Sequence, residues 1–341
     1  MTRSEQWRLV LSLALGLCPL AALIGLVPGY FLGDGNLRTM ITGGFIGLLI
    51  GLGMVAFQVS WGVGLIPNRI REAPFLVVLF TVSFAWLVII VVGLTIPLVT
   101  VGGVPFGELT DTSFLVSTLI SFVVATALNF GFQVNRMMGR GVLLGLISGR
   151  YHRPHEERRV FLFVDLRGST TIAEQLGNVR YHELLRRFIA DITAPVIRNG
   201  GDIHRYVGDQ VIVTWTERRG IRNAACIRAY FGMIDAIDQA RRRYQDDFGL
   251  VPTFWAGLHL GPVIAGEVGA AKYEIVFLGD TMNIGARIEQ HCRAVDRPCL
   301  ASGELIEALD LPADVSAESL GATELRGIGT PVELYALSRG A

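Results

Sequence analysis

The chain has 341 residues, of which 51% are hydrophobic, and 30 basic side chains balance 30 acidic ones. That length leaves room for about two domains, and a mean hydropathy of +0.47 is too high for an all-soluble protein. Zero net charge gives no argument for nucleic-acid binding. The four cysteines (Cys18, Cys226, Cys292, Cys299) show neither metal-type CxxC spacing nor a secreted disulfide framework.

Charge is distributed unevenly, with an apolar region from Leu9 to Val134 and ordinary globular composition from Arg136 onward. Four apolar segments, Leu9–Val27, Met40–Phe57, Pro74–Val99 and Phe114–Phe132, contain no charged residue. Each is near the length of about twenty residues that a spanning helix requires. A cleaved signal peptide is the alternative for the first, but its apolar core is long and Leu17 is bulky before Cys18. Arg3, Arg8, Arg69, Arg71, Arg136, Arg140 and Arg150 flank the spans on one side, which predicts cytoplasmic termini by the positive-inside rule. Gly43, Gly47 and Gly51 recur every fourth residue in the second span, a spacing that lets another helix approach closely, within a bundle or across a dimer. The spans hold no Asp, Glu, Lys, Arg or His, which argues against a transporter or channel.

Residues 135–157 form a linker, in which Val142-Leu-Leu-Gly-Leu-Ile147 is an apolar patch too short to span. It suits a helix buried against a symmetry mate, or a segment lying on lipid headgroups. The soluble part then opens with Val160-Phe-Leu-Phe-Val164, a β-branched and aromatic run that predicts a buried strand ending at Asp165. Gly168, Ser169 and Thr170 turn the chain before a helix at Thr171, a geometry that offers backbone N–H groups to phosphate oxygens. A carboxylate beside such a cradle calls for a divalent cation between them, the plainer alternative being an ordinary strand-to-helix turn.

Arg180 to Arg198 has helical apolar spacing, and the strands Ile203–Val207 and Gln210–Trp215 are joined by Gly208-Asp209, a tight-hairpin signal. If these strands neighbour the first, Asp209 and Asp165 converge and can hold two cations. Ile221 to Arg243 predicts a second long helix, followed by strands at Phe254–Leu260, Gly261–Gly269 and Ile275–Leu278. Another helix leaves Gly279, with Asp280 or Thr281 placed to cap it. On this helix Asn283 and Arg287, four apart, share a face. An amide and a guanidinium suit a sugar and a phosphate, unless Arg287 simply pairs with Glu289 or another neighbour.

Four segments in this order, Phe163-Val-Asp-Leu-Arg-Gly-Ser-Thr170, Tyr206-Val-Gly-Asp209, His259-Leu-Gly-Pro-Val-Ile-Ala-Gly266 and Leu278-Gly-Asp-Thr-Met-Asn-Ile-Gly-Ala-Arg287, resemble the catalytic domain of class III nucleotidyl cyclases, chiefly adenylate cyclases. The apolar segments predict a four-span helical membrane bundle over residues 1–134, similar in kind to the anchors of some bacterial members, and the resemblance implies an α+β ferredoxin-like catalytic domain over 158–341, working as a homodimer with shared active sites. It further implies Asp165 and Asp209 as ligands of two Mg2+ or Mn2+ ions, and Asn283 and Arg287 as the pair that orients the ribose and stabilises the transition state. Arg326, in Glu324-Leu-Arg-Gly327, resembles the family's phosphate-binding element, where lysine is usual. ATP is the implied substrate, and the implied location is a bacterial inner membrane with the N-terminus and catalytic domain cytoplasmic.

At the family's purine-reading positions this chain has Arg205 for lysine and Val276 for an Asp or Thr. Arg205 can donate to a purine ring nitrogen, whereas Val276 cannot accept from an adenine amino group. Lys272 and Glu274, just upstream, are the substitutes on offer. A guanylate or dual-specificity cyclase and an inactive cyclase-like receptor are the alternatives, the second opposed by the joint presence of both aspartates, Asn283 and Arg287. Gly200-Gly-Asp202 suggests a diguanylate-type cyclase only superficially, because a strand follows it.

Overall fold

A computed structural model of the chain describes residues 19–23, 25–27, 30, 36–63, 73–105, 107, 112–138, 149, 151–269 and 274–340. Most of the predicted first span, the patch Val142–Ile147 and Lys272 lie outside the described residues. The chain divides into two compact units, Met1–Met137 and Met138–Ala341.

The first unit contains α1 (Leu37–Val63), α2 (Phe75–Thr100) and α3 (Thr112–Met138). Within them Leu37–Phe57, Phe75–Thr100 and Phe114–Gly131 are long and apolar enough to cross a membrane, matching three of the four predicted spans. Of the predicted stripe, Gly47 meets its neighbour within the chain, where a Cβ would strike the backbone of Ala21; beside the stripe, one on Gly44 would strike Leu26. A further contact is polar. The buried Asn129 amide on α3 donates to Ser83 Oγ on α2 over 3.2 Å, satisfying both groups where water is scarce.

The second unit is built on an eight-stranded sheet, ordered β2-β3-β1-β4-β6-β8-β7 with β5 paired to β4. Its strands are β1 (His155–Leu166), β2 (Asp202–Val207), β3 (Gln210–Thr216), β4 (Phe254–Val268), β5 (Glu274–Leu278), β6 (Cys299–Ser302), β7 (Val315–Thr323) and β8 (Val332–Arg339). Alternation along β1 explains why both of its faces are buried from Arg159 onward. Val160, Leu162 and Val164 enter the core beneath α5 (Asn178–Arg198) and α7 (Ala225–Gln239), while Phe161 and Phe163 pack on the opposite face with Val263, Ala265 and Phe277.

Three sequence expectations change. The runs at Phe254 and Gly261 are one strand, since Pro262 keeps a φ compatible with extended backbone and continues the pairing with β1. The long helix expected from Ile221 to Arg243 is divided into α6 (Glu217–Ile221), α7 and α8 (Arg241–Phe248), with Asn223 and Ala224 in left-handed conformation between α6 and α7. The third concerns α9 (Asp280–Val295), which has no side-chain cap: Gly279 stands at the cap position and the Thr281 hydroxyl donates instead to the Pro262 carbonyl over 2.5 Å. A short α10 (Gly303–Glu307) follows β6.

Candidate active site

Asp165 is the penultimate residue of β1, and β3 runs antiparallel beside it with Val164 opposite Val211. β2 and β3 close on the two-residue turn Gly208-Asp209, with Val207 opposite Gln210 and Gly208 at φ 64. Only glycine adopts that conformation readily, and it is the one this hairpin type requires. Continuing the register beyond Val164 and back from Val211 brings Asp165 and Asp209 to the same end of the sheet. Burial first, and then the Asp209 carboxylate, push Asp165 above the usual carboxylate range, opposed by an ion pair with Arg293 from α9.

A third carboxylate, which the sequence named only as a possible partner for Arg287, lies near them. Glu289 on α9 is 1% exposed, and burial, followed by the Asp165 charge, raises its pKa to about 7. The Gln210 amide donates to Glu289 Oε2 over 3.3 Å. Two close approaches put Glu289 there. A Cβ on Gly257 of β4 would strike the Glu289 backbone, and one on Gly285 would strike the Phe163 ring, so α9 lies flush on the sheet because both positions lack a side chain. The Tyr181 hydroxyl, bonded to Ser169, borders the same pocket: burial and then the Asp209 charge raise its pKa.

Whether the pocket suits a metal is tested by its donor set. Asp209 Oδ2 is buried without a hydrogen-bond partner, and Asp165 is 8% exposed. A buried carboxylate oxygen left without a donor is costly unless a cation meets it, and oxygen-only donors suit hard divalent ions. Among the described residues no three His, Cys, Asp or Glu side chains form a complete cage. Magnesium bound by one or two carboxylates commonly takes its other ligands from phosphates and water, so the pair fits that use.

Beside the carboxylates, Gly168 at φ 66 starts α4 (Ser169–Leu176) two residues earlier than expected. Ser169 and Thr170 therefore sit in the first helical turn, whose N–H groups have no partners within the helix. The other predicted residues stand apart. Asn283 is exposed and Arg287 bonds Gln290 Oε1 over 2.6 Å, so the pairing of Arg287 with Glu289 does not occur. Among the described residues, neither bonds Asp165 or Asp209.

The sheet also curls so that β2 meets β5. His204 packs against Phe277 at 4.9 Å between ring centres, and Arg205 forms a 2.6 Å ion pair with Glu274, both side chains partly exposed. Val276 lies on β5 opposite Gly266. Arg326 is exposed on the turn between β7 and β8, where Leu325 is buried. His259 is structural: buried, its Nδ1 is 2.8 Å from Ser302 Oγ, and burial lowers its pKa to about 4.

A family model described as the adenylate and guanylate cyclase catalytic domain matches residues 151–339. The chain belongs to this family. Its second unit is accordingly a nucleotidyl cyclase domain. It is 39% identical over 246 residues to "Adenylate cyclase 2" of Rhizobium meliloti, covering 72% of this chain and 68% of that one. "Adenylate cyclase" of Anabaena cylindrica is 24% identical over 185 residues, covering 52% of this chain and 36% of its own. The cyclase also shares the fold of a solved bacterial light-regulated adenylyl cyclase, with a TM-score of 0.56, 22% identity and 68% of each chain covered.

Proposed function

We propose that this chain is a membrane-anchored adenylate cyclase that converts ATP to 3′,5′-cyclic AMP and pyrophosphate at sites shared by a homodimer. The observation that carries the reading is the buried convergence of Asp165 and Asp209, with Asp209 Oδ2 lacking a hydrogen-bond donor. The adenylate assignment draws on the name of the relative at 39% identity. Membrane anchoring draws on three apolar helices; together with the fourth apolar segment of the sequence, Leu9–Val27, the positive-inside rule sets the N-terminus and catalytic domain both in the cytoplasm, against a bacterial inner membrane.

Asp165 and Asp209 would hold two divalent cations, Mg2+ or Mn2+, whose chemistry is to activate the 3′-hydroxyl and neutralise the leaving pyrophosphate. The first-turn amides of α4, at Ser169 and Thr170, would meet phosphate oxygens, and Arg326 would add an exposed cation. The 3′-oxygen bonds to the α-phosphorus as its bond to the β-phosphate oxygen breaks, and the hydroxyl proton leaves to solvent. Arg287, from the second chain, stabilises charge on the α-phosphoryl oxygens, while Asn283 holds the ribose. At the base, Arg205 donates to a ring nitrogen and Glu274 accepts from the 6-amino group. A carboxylate has lone pairs enough for both the amino group and Arg205, so Glu274 replaces the acceptor that Val276 lacks.

The test is turnover by the full chain in detergent with Mg2+ or Mn2+ and either ATP or GTP. Cyclic AMP as the main product, with kcat/KM at least about tenfold above that for GTP, is expected of a base edge read by hydrogen bonds. Preferential cyclic GMP formation would overturn the adenine assignment, and no product from either nucleotide would leave a cyclase-like receptor.

A further inference from the structure

Asp165, Asp209 and Glu289 lie within electrostatic reach of one another, and the Arg293 guanidinium faces Asp165 and Glu289. Asp165 is 8% and Glu289 1% exposed, so their charges are poorly screened by water. The facing cation is Arg293, on the last turn of α9, with a side chain 57% exposed and so largely solvated. It holds Asp165 Oδ2 in a closed ion pair. Its second neighbour is Glu289 Oε1, one helical turn back and 3.9 Å away, an atom with no hydrogen-bond partner.

We infer that Arg293 is a stand-in cation, neutralising Asp165 in the metal-free site and passing to Glu289 Oε1 when a divalent ion is taken up. This rests on Asp165 and Asp209 being the metal carboxylates. Arg293 occupies Asp165 Oδ2, and a divalent ion bound to the same carboxylate would stand within a few ångströms of the guanidinium, where the two cations repel. The incoming ion therefore evicts Arg293, and the nearest acceptor without a donor is on the same helix face. Eviction is feasible because an ion pair with a largely solvated arginine is weak. Arg293 and Glu289 are thus positioning residues that set the metal affinity of a site they do not themselves complete.

The experiment measures Mn2+ affinity of the purified full chain from the free-ion electron paramagnetic resonance signal, with Mn2+ alone as probe. Arg293→Ala and Arg293→Gln should each bind Mn2+ about fivefold more tightly, the worth of one partly solvated ion pair. Glu289→Gln should weaken binding by a similar factor in the wild-type background, where Arg293 stays on Asp165. In the Arg293→Ala background the same change should have no effect, because only a residue acting through Arg293 loses its influence there. Unchanged or weaker binding in both folded Arg293 variants would overturn the inference. So would a Glu289→Gln loss of equal size in both backgrounds, which means direct action on the metal. Asp165→Ala separates the two levels: retained Mn2+ affinity there removes the metal-carboxylate assignment itself.

Discussion

Glu289 and Arg287 are two residues apart on α9, yet they belong to regions built in opposite ways. Glu289 is 1% exposed, bonded by Gln210 and held against β4 where Gly257 has no side chain. Arg287 lies on the outer face beside exposed Asn283, its guanidinium taken up by Gln290. The carboxylate pocket is completed within one chain by sheet register and close helix packing. The outer face presents an exposed amide and a guanidinium that bonds the neutral Gln290, and the proposed two-chain site would draw on that face.

The comparison breaks most severely at the carboxylates. Asp165→Ala or Asp209→Ala should lower turnover by at least about 10³, the scale of losing a principal electrostatic element of phosphoryl transfer. Circular dichroism and Tm should stay near wild type, because neither side chain supports the apolar core; ordinary turnover in either variant would remove the two-metal assignment.

Mixing tests the division between chains. Asp165→Ala and Arg287→Ala chains, each inactive alone, should together recover roughly a quarter of wild-type activity, since half the dimers of a random mixture are mixed and each has one intact site. Mixed dimers that form, verified by differently tagged chains, but show no activity would place both groups in one chain's site.

A smaller effect is expected at the base edge. Glu274→Ala should reduce the ATP-to-GTP ratio of kcat/KM by about 10- to 100-fold, the value of roughly 1–3 kcal/mol for a hydrogen bond to a buried polar group. Val276→Asp in that background should restore part of the preference for ATP. An unchanged ratio in Glu274→Ala would show that other residues read the purine.

The smallest effect is on stability. Folding raises the pKa of Glu289 from 4.5 to about 7, so the folded chain binds the extra proton more tightly than the unfolded one. Its contribution to stability is then fully present below about pH 4.5 and lost as pH rises towards 7. Glu289→Gln, which cannot ionise, should raise Tm at pH 7.5 by a few degrees, about what 1 kcal/mol or more gives in a domain of this size. Near pH 4.5 the advantage should disappear. A constant difference between the two proteins across this range, measured by thermal scans, would mean that Glu289 does not titrate on unfolding.

Several elements were legible because the chemistry is local. The strand into Asp165, the hairpin at Gly208-Asp209 and the apolar helices each follow from runs of a few residues whose period or turn type names the structure. The division of the helix expected at Ile221–Arg243 was not, since the apolar spacing runs on through Asn223 and Ala224, which the structure holds in left-handed conformation with Ala224 buried. The cap of α9 was misplaced for a similar reason: Thr281 has a cap residue's chemistry, but β4 offers its hydroxyl the Pro262 carbonyl instead.

The sequence alone therefore determined the family, the apolar helices, and the identity of Asp165, Asp209, Asn283 and Arg287 as candidates, because these depend on residue type and spacing along the chain. Tertiary structure alone decided that Glu289 faces the aspartates while Arg287 turns away, that Arg205 meets Glu274 across 69 positions, and that Arg293 reaches Asp165 across 128. Those pairings depend on how closely α9 approaches the sheet and how far the sheet curls. Both are set by packing between segments distant in sequence, which no local pattern encodes.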